Sequence, residues 1–137
     1  MNHSGEGLLE MSALGLEHIG DAVYELMVRT WLCTNGATTA KNIHKETILR
    51  VSAKAQAAAA ESLLPELSES ELAIFKRGRN AHVNTVPRTS TYEEYHTATG
   101  LEALFGHLYL EKKTERLEEL FDILMDNVKC KDIQERI

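Results

Sequence analysis

Residues that cross-link or interrupt a chain are scarce in this sequence of 137 residues. It has two cysteines, two prolines and eight glycines. Cys33 and Cys130 are too few and too far apart for a disulfide framework or a paired-cysteine metal site, so we interpret them as reduced thiols. The scarcity of proline and glycine, beside many Ala, Leu, Glu and Lys residues, favours helices over strands. We therefore predict an all-α fold in a single domain.

Long apolar runs and a recognisable targeting segment are also lacking. No window approaches the roughly 18 consecutive apolar residues of a membrane-spanning helix. The polar start of the chain has no basic region followed by an apolar one. We expect a cytoplasmic protein with no membrane partner. Its predicted parts are a flexible N-terminus over residues 1–7, a helical domain over residues 8–128 and a C-terminal tail over residues 129–137.

Acidic residues outnumber basic ones in this chain. It has 21 Asp and Glu, 15 Lys and Arg, and a net charge of −6. This balance argues against unspecific binding of nucleic acid by the whole surface, although a local basic patch can still attract it. Residues 75–88 form such a patch, with four Lys and Arg and no acid. We predict that residues 76–90 are not helical, and that they contact phosphates rather than forming a merely solvated charge run. The candidate phosphate contacts are Lys76, Arg77, Arg79, Asn80 and Arg88.

Hydrophobic periodicity and capping residues predict where the helices lie. The first periodic segment runs from Leu8 to Thr34 and should end at the pair Asn35-Gly36. Further helices are predicted after a cap at Thr38 or Thr39, over residues 53–64, after a capping box that begins at Ser68, over residues 92–110 and over residues 115–127.

The first helix carries two acids beside its apolar face. Its predicted core stripe consists of Leu16, Ile19, Val23, Leu26, Met27 and Thr30. Glu17 and Asp21 are four residues apart and project from one flank. Flanking carboxylates often simply face solvent, but Tyr24 and Val28 share this flank and indicate that it is covered too. The acids would then lie in a crevice.

The helix around residues 98–110 repeats this pattern with Glu102. Gly20 and Gly106 are each unfavourable inside a helix by roughly 1 kcal/mol relative to alanine, so we interpret them as positions of close contact. If the two helices cross there, Glu17, Asp21 and Glu102 converge. Acids set together in a crevice repel one another unless a cation holds them. Oxygen ligands suit Mg²⁺ or Mn²⁺, which predicts a metal site for phosphodiester chemistry.

These motifs resemble those of the ribonuclease III family. Residues 16–21, Leu-Glu-His-Ile-Gly-Asp, are similar to its signature Leu-Glu-Phe-Leu-Gly-Asp. Residues 102–106, Glu-Ala-Leu-Phe-Gly, are similar to its second acidic motif, although Thr99 replaces the aspartate that precedes that motif in the family. Blocks that resemble the Mini-III branch, which lacks the double-stranded-RNA-binding domain, stand at residues 20–25, 51–57, 76–81 and 110–113.

The resemblance implies a homodimeric endoribonuclease that cleaves double-stranded RNA, with the ends of the 23S ribosomal RNA precursor as its substrate. Asp21 and Glu102 would be the catalytic residues and would hold Mg²⁺ or Mn²⁺, with Glu17 as a further metal ligand and Thr99 as a possible helper. The expected products carry 5′-phosphate and 3′-hydroxyl ends.

Two other classes of protein fit these residues less well. A non-catalytic RNA-binding or ribosome-assembly protein on the same fold would be expected to have lost its acids, and this chain keeps Asp21 and Glu102. A helical phosphohydrolase acting on nucleotides would need histidine ligands and would have no use for the basic segment.

Overall fold

The predicted helices are present in a computed structural model of the chain, which describes residues 11–36, 39–81 and 90–136. The helices are α1 (Ala13–Thr34), α2 (Ala40–Val51), α3 (Ala53–Leu63), α4 (Glu69–Arg79), α5 (Tyr92–Leu110) and α6 (Thr114–Arg136), with a short 3₁₀ helix at Leu64–Glu66. All regular elements within these ranges are helical, which confirms the all-α prediction. None of the helices so described has both the length and the apolarity to cross a membrane.

Capping residues fix most of the helix ends. The Oγ of Ser52 accepts a hydrogen bond from the Ala55 amide at the start of α3, and Ser68 forms the predicted capping box with Glu71. Gly36, directly after the C-cap Asn35 of α1, has φ +97°, a conformation that glycine adopts at no steric cost. At the other end of α1, Ser12 accepts from the Gly15 amide. Because of this cap, α1 begins at Ala13, five residues after the predicted start.

The central element is α5, which packs against α1, α3, α4 and α6. Every residue of α5 from Ala98 to Gly106 is buried, as expected of a helix surrounded by partners on all sides. Glu102 belongs to this stretch. The carboxyl group of Glu102 is therefore carried by a buried stretch of the central helix.

Helices α1 and α5 cross in backbone contact at two glycines. A Cβ atom added to Gly20 would lie 1.6 Å from the carbonyl oxygen of Glu102, and one added to Gly106 would lie 2.1 Å from the carbonyl oxygen of Leu16. No side chain fits at either position. The crossing predicted from these two glycines is therefore confirmed.

The buried face of α1 differs from the predicted one. Its buried residues are Leu16, Gly20, Tyr24, Val28 and Leu32. Leu26, predicted to be in the core stripe, is 65% exposed. Tyr24 and Val28 are buried, which agrees with the prediction that their flank is covered. The prediction for Leu26 was wrong because it scored side-chain hydrophobicity, and the face of α1 is set by the bare backbone at Gly20, against which α5 packs.

The basic segment is also partly misplaced by the sequence prediction. Lys76, Arg77 and Arg79 lie in the last turn of α4 and not in a loop. Gly78 lets this turn pack closely against α5, since an added Cβ there would be 2.6 Å from the Cβ of Ala103. Arg88 lies outside the described residues. At the end of the chain, α6 extends nine residues past the predicted end at residue 127.

Candidate active site

The crossing of α1 and α5 brings Asp21 and Glu102 together. Asp21 directly follows the glycine whose space is filled by the Glu102 backbone, and the two carboxyl groups are in hydrogen-bonding contact. Asp21 is exposed, whereas Glu102 is only 9% exposed. The pair therefore has one carboxyl group that faces solvent and one that lies beneath it at the crossing.

The surroundings of Glu102 disfavour its charged form. The pKa of Glu102 is raised to about 9, chiefly by burial, then by the hydrogen bond and charge of Asp21, and then by the charge of Glu17. Burial and the Asp21 charge also raise the pKa of Glu17, and His18 partly offsets them. Three acids thus act on one another in a confined space. A proton or a cation bound between them would relieve this repulsion.

The donor atoms of this pair fit a hard divalent cation. Among the described residues, no group of three His, Cys, Asp or Glu side chains is arranged to hold a metal ion by itself. Mg²⁺ commonly binds through one or two carboxylates and keeps several of its waters, a requirement that Asp21 and Glu102 meet. Glu17 affects Glu102 through its charge.

Two further α5 side chains on the same side of the helix accompany Glu102. The Thr99 hydroxyl is buried and donates to the carbonyl oxygen of Tyr95 at 2.8 Å, so its proton is used within the helix and its oxygen can still accept. The pKa of the Tyr95 hydroxyl is raised by burial and by the charges of Glu17 and Glu102. Tyr95 is therefore close enough to these acids to be affected by their charges. Sequence analysis missed it, although it precedes Thr99 by four residues and Glu102 by seven, the spacing of one helix face.

The candidate phosphate-contacting residues at the end of α4 divide into two groups. Lys76 and Asn80 are exposed. The guanidinium of Arg77 donates to the carbonyl oxygen of Met11 at 2.8 Å, and that of Arg79 lies 5.9 Å from the centre of the Phe75 ring. Both arginines thus contribute to the fold while remaining on the surface or close to it. They lie on a helix that packs against α5, the helix that carries Glu102.

We expect Glu102→Gln to stabilise the protein when no divalent cation is present. The raised pKa means that folded Glu102 keeps its proton, while unfolded Glu102 loses it near pH 4.5. Stability is therefore lost as pH rises from about 4.5 to about 9, by an amount on the order of 3 kcal/mol at neutral pH. The variant lacks this loss, so its midpoint of urea unfolding in EDTA should exceed that of the wild type at pH 8 and match it near pH 4.5. An equal difference between the two midpoints at pH 8 and at pH 4.5 would show that the surroundings of Glu102 do not raise its pKa.

Comparison with known proteins gives consistent matches over most of the chain. Residues 14–113 match the family model described as the Ribonuclease III domain. The chain is 43% identical to Mini-ribonuclease 3 of Thermoanaerobacter sp. over 118 residues, which cover 86% of this chain and 83% of that protein. It is 39% identical to Mini-ribonuclease 3 of Clostridium tetani over 122 residues, which cover 88% and 81%.

A solved structure extends the match to the three-dimensional fold. A crystal structure of a Fusobacterium nucleatum protein superposes with a TM-score of 0.79 at 33% identity, covering 86% of this chain and 94% of that one. The all-α arrangement described above is therefore shared with a protein that has been solved by experiment.

Proposed function

Because this chain belongs to the ribonuclease III domain family, among the Mini-ribonuclease 3 proteins, we propose that it is an endoribonuclease that cleaves double-stranded RNA by metal-dependent hydrolysis. The observation that carries the proposal is the contact between the Asp21 and Glu102 carboxyl groups at the α1–α5 crossing. Burying a carboxyl group against another is costly in free energy. A catalytic cation bound by both carboxylates would offset this cost.

The two carboxylates would hold Mg²⁺, or Mn²⁺ in its place, which lowers the pKa of a bound water and stabilises the departing 3′-oxygen when bound. Asp21, on the exposed side of the pair, faces the incoming RNA. Glu102 is fixed by the surrounding helices and anchors the site from below. Glu17 and Tyr95, whose pKa values are both raised in part by the charges of this site, are proposed to orient water through hydrogen bonds. Water would attack phosphorus in line with the bond to the 3′-oxygen. This bond then breaks, so the products carry 5′-phosphate and 3′-hydroxyl ends.

The substrate that we propose is the double-stranded stem at the ends of the 23S ribosomal RNA precursor, processed in the cytoplasm. The support for this step is the similarity to the Mini-ribonuclease 3 proteins along nearly the whole chain. The test compares cleavage of this precursor stem with cleavage of an unrelated duplex of equal length. A preference for the precursor stem supports this assignment, and equal cleavage of both duplexes would contradict it.

The direct test of the activity is incubation of the purified protein with a duplex RNA labelled at its 5′ end. We expect cleavage with Mg²⁺, no cleavage with EDTA, and no cleavage of either strand alone. Treatment of the fragments with phosphatase and kinase identifies the chemistry of the new ends. A protein that binds the duplex but leaves it intact with every divalent cation would instead support the non-catalytic alternative.

Exposed apolar residues on the outer side of α1 support the proposed homodimer. Leu14, Ala22 and Leu26 form an exposed stripe roughly opposite the buried face, and the polar residues His18 and Arg29 are exposed on the same side. Leu14 is 47% and Leu26 is 65% exposed. A two-fold axis beside α1 would cover the same stripe on both subunits and bring the two active sites close together.

We expect light scattering at micromolar concentration to give about twice the 15.4 kDa mass of one chain. Leu26→Glu should shift the protein to a monomer, because two carboxylates would be buried near the two-fold axis. Tyr109→Glu is the matched control, since Tyr109 is an exposed apolar residue on α5. A dimer that survives the α1 change and dissociates with the control would place the interface on α5.

The residues at the end of α4 are proposed to contact the duplex, because an acidic protein must concentrate its positive charge where the polyanion lies. Lys76 and Asn80 are exposed and available for phosphates. Arg77 and Arg79 already contact Met11 and Phe75, so a purely structural role is the competing explanation. Arg88 is proposed as a further contact from the sequence alone.

We predict that Arg77→Ala with Arg79→Ala weakens duplex binding with little dependence on RNA sequence. Each lost phosphate contact should flatten the log–log salt dependence by up to about one unit. Binding is measured against salt in the Asp21→Asn background, where RNA stays intact. Lys113→Ala is the control, because Lys113 is exposed between α5 and α6 and paired with Glu111. An unchanged slope in a folded double variant would move the RNA contacts elsewhere.

A further inference from the structure

A cavity of about 470 Å³ lies where the end of α4 meets the start of α5. Its wall includes polar and aromatic side chains that can contact a ligand, namely those of Arg79, Asn80, Tyr92, Glu93 and Thr97. Tyr92 is the first residue of α5 and stands ten residues before Glu102, or about 15 Å along the helix axis at 1.5 Å per residue. Nucleotides close to a cleavage position at the carboxylate pair can therefore reach this cavity.

The ring of Tyr92 is an exposed aromatic surface at the cavity. Tyr92 is 68% exposed, and its ring centre lies 4.0 Å from that of His96. His96 is buried, and its Nδ1 lies 2.9 Å from the carbonyl oxygen of Arg79. The ring on which Tyr92 rests is thus fixed by packing and by a hydrogen bond. Because this contact covers at most one face of Tyr92, the rest of its ring is open to solvent.

The polar groups of the cavity wall suit the edge of a nucleobase. Asn80 is exposed, and its amide can both donate and accept hydrogen bonds. Glu93 is also exposed, and its carboxylate can accept from the amino group of a base but would repel a phosphate placed inside the cavity. Arg79 is half-buried at the wall and supplies a cation for a phosphate alongside. The cavity therefore suits a base, with the phosphate of the same nucleotide at its margin.

The charges of the neighbouring cavity limit how much RNA this region can take. A second cavity, of about 460 Å³, shares Arg79 and Glu93 with the first, and its wall adds Lys54, Glu61 and Glu94. Acids outnumber cations among these side chains, so a polyanionic strand would be repelled from the second cavity. The first cavity would then hold a single nucleotide.

We propose that Tyr92 is the platform of a subsite for one unpaired nucleotide next to the duplex, whose base stacks on the tyrosine ring. The edge of this base contacts Asn80 and Glu93, and Arg79 contacts its phosphate. The nucleotide has to be unpaired, because bases within a duplex are already stacked on both sides, whereas unpaired RNA bases stack on aromatic side chains. The subsite rests on the proposed function as a double-stranded RNA nuclease, and it favours duplexes that are flanked by an unpaired nucleotide. The cleavage chemistry stays with the carboxylate pair.

The test compares a blunt-ended RNA duplex with the same duplex carrying one unpaired nucleotide at its 5′ or its 3′ ends. In the Asp21→Asn background, the unpaired nucleotide should tighten binding roughly five- to tenfold, the lower part of the range for one stacked base. Tyr92→Ala should bring this ratio close to one and leave the affinity for the blunt duplex unchanged. Tyr92→Phe should keep the ratio, because it keeps the ring. Tyr109→Ala is the matched control and should also keep it, since Tyr109 is exposed at the other end of α5, outside the cavity.

Photo-cross-linking provides a second measurement that uses the native residue. A 5-iodouracil base at the unpaired position forms a link with an aromatic ring on which it stacks, and mass spectrometry should locate this link at Tyr92. A link only at other residues, or an unchanged ratio in folded Tyr92→Ala, overturns the subsite. The nuclease proposal would still stand in that case, because the blunt duplex tests it separately. If no duplex RNA binds or is cut under any condition, the proposed function fails, and the subsite fails with it.

Discussion

Asp21→Asn should reduce the rate of duplex RNA cleavage by more than about 100-fold, beyond the roughly 10–100-fold effects typical of groups that only support a metal ligand. The change keeps the size of the side chain and removes the charge that the cation needs. Asp21 is the exposed member of the pair and contacts Glu102. No other described carboxyl group is placed to replace it in that contact.

Folding should survive this substitution, because removing one charge relieves the repulsion around Glu102. The measurement is single-turnover cleavage at saturating Mg²⁺, with the unfolding midpoint recorded on the same sample. Asp122→Asn is the matched control, since Asp122 is exposed on α6 and away from the crossing. Near-normal cleavage by the Asp21 variant at saturating Mg²⁺ would falsify its assignment as a metal-binding residue.

Gly20→Ala should destabilise the fold by more than about 3 kcal/mol, at or above the upper end for overpacked cores. The new Cβ would lie 1.6 Å from the Glu102 carbonyl oxygen and 2.9 Å from the Gly106 nitrogen. Both are backbone atoms of a buried helix, so neither can turn aside as a flexible side chain could. Relief requires α1 and α5 to move apart, which also separates the two carboxyl groups.

Urea unfolding monitored by circular dichroism measures this effect, and cleavage assayed on whatever folded fraction remains reports on the site. Gly15→Ala is a close control on the same helix. Its Cβ would meet only the Met11 and Ser12 side chains, at 3.2 and 3.3 Å, and alanine gains up to about 1 kcal/mol of helix propensity there. Equal stability changes for the two variants would mean that the helices do not cross at Gly20.

Local signals in the sequence were sufficient to predict most of the helices. Ser52 and Ser68 are caps whose effect depends on neighbours within four residues, and both open a helix as expected. Asn35-Gly36 ends α1 for the same reason. The α4 end was misjudged because Gly78 and Arg79 look like loop residues in isolation. Their helical turn is maintained by the contact of Gly78 with Ala103, which is distant in sequence.

The candidate site was only partly predictable. The spacing of Glu17 and Asp21, together with Gly20 and Gly106, predicted a crossing rich in acids, and the crossing is present. Burial of individual residues was less predictable: Leu26 was placed in the core stripe and is exposed, because the packed face of α1 follows a glycine that carries no hydrophobic signal. Tyr95 was missed, since its role depends on which faces of α5 meet other helices.

The sequence by itself therefore determined the all-α class, the capping of the helices and the identity of the acids, because these depend on composition and on residues a few positions apart. The tertiary structure decided which carboxyl groups touch and how deeply each is buried. Asp21 and Glu102 are 81 positions apart, and their contact exists only because two glycines let two backbones meet. The raised pKa of Glu102 follows from that contact and from burial, and neither can be read from a linear pattern.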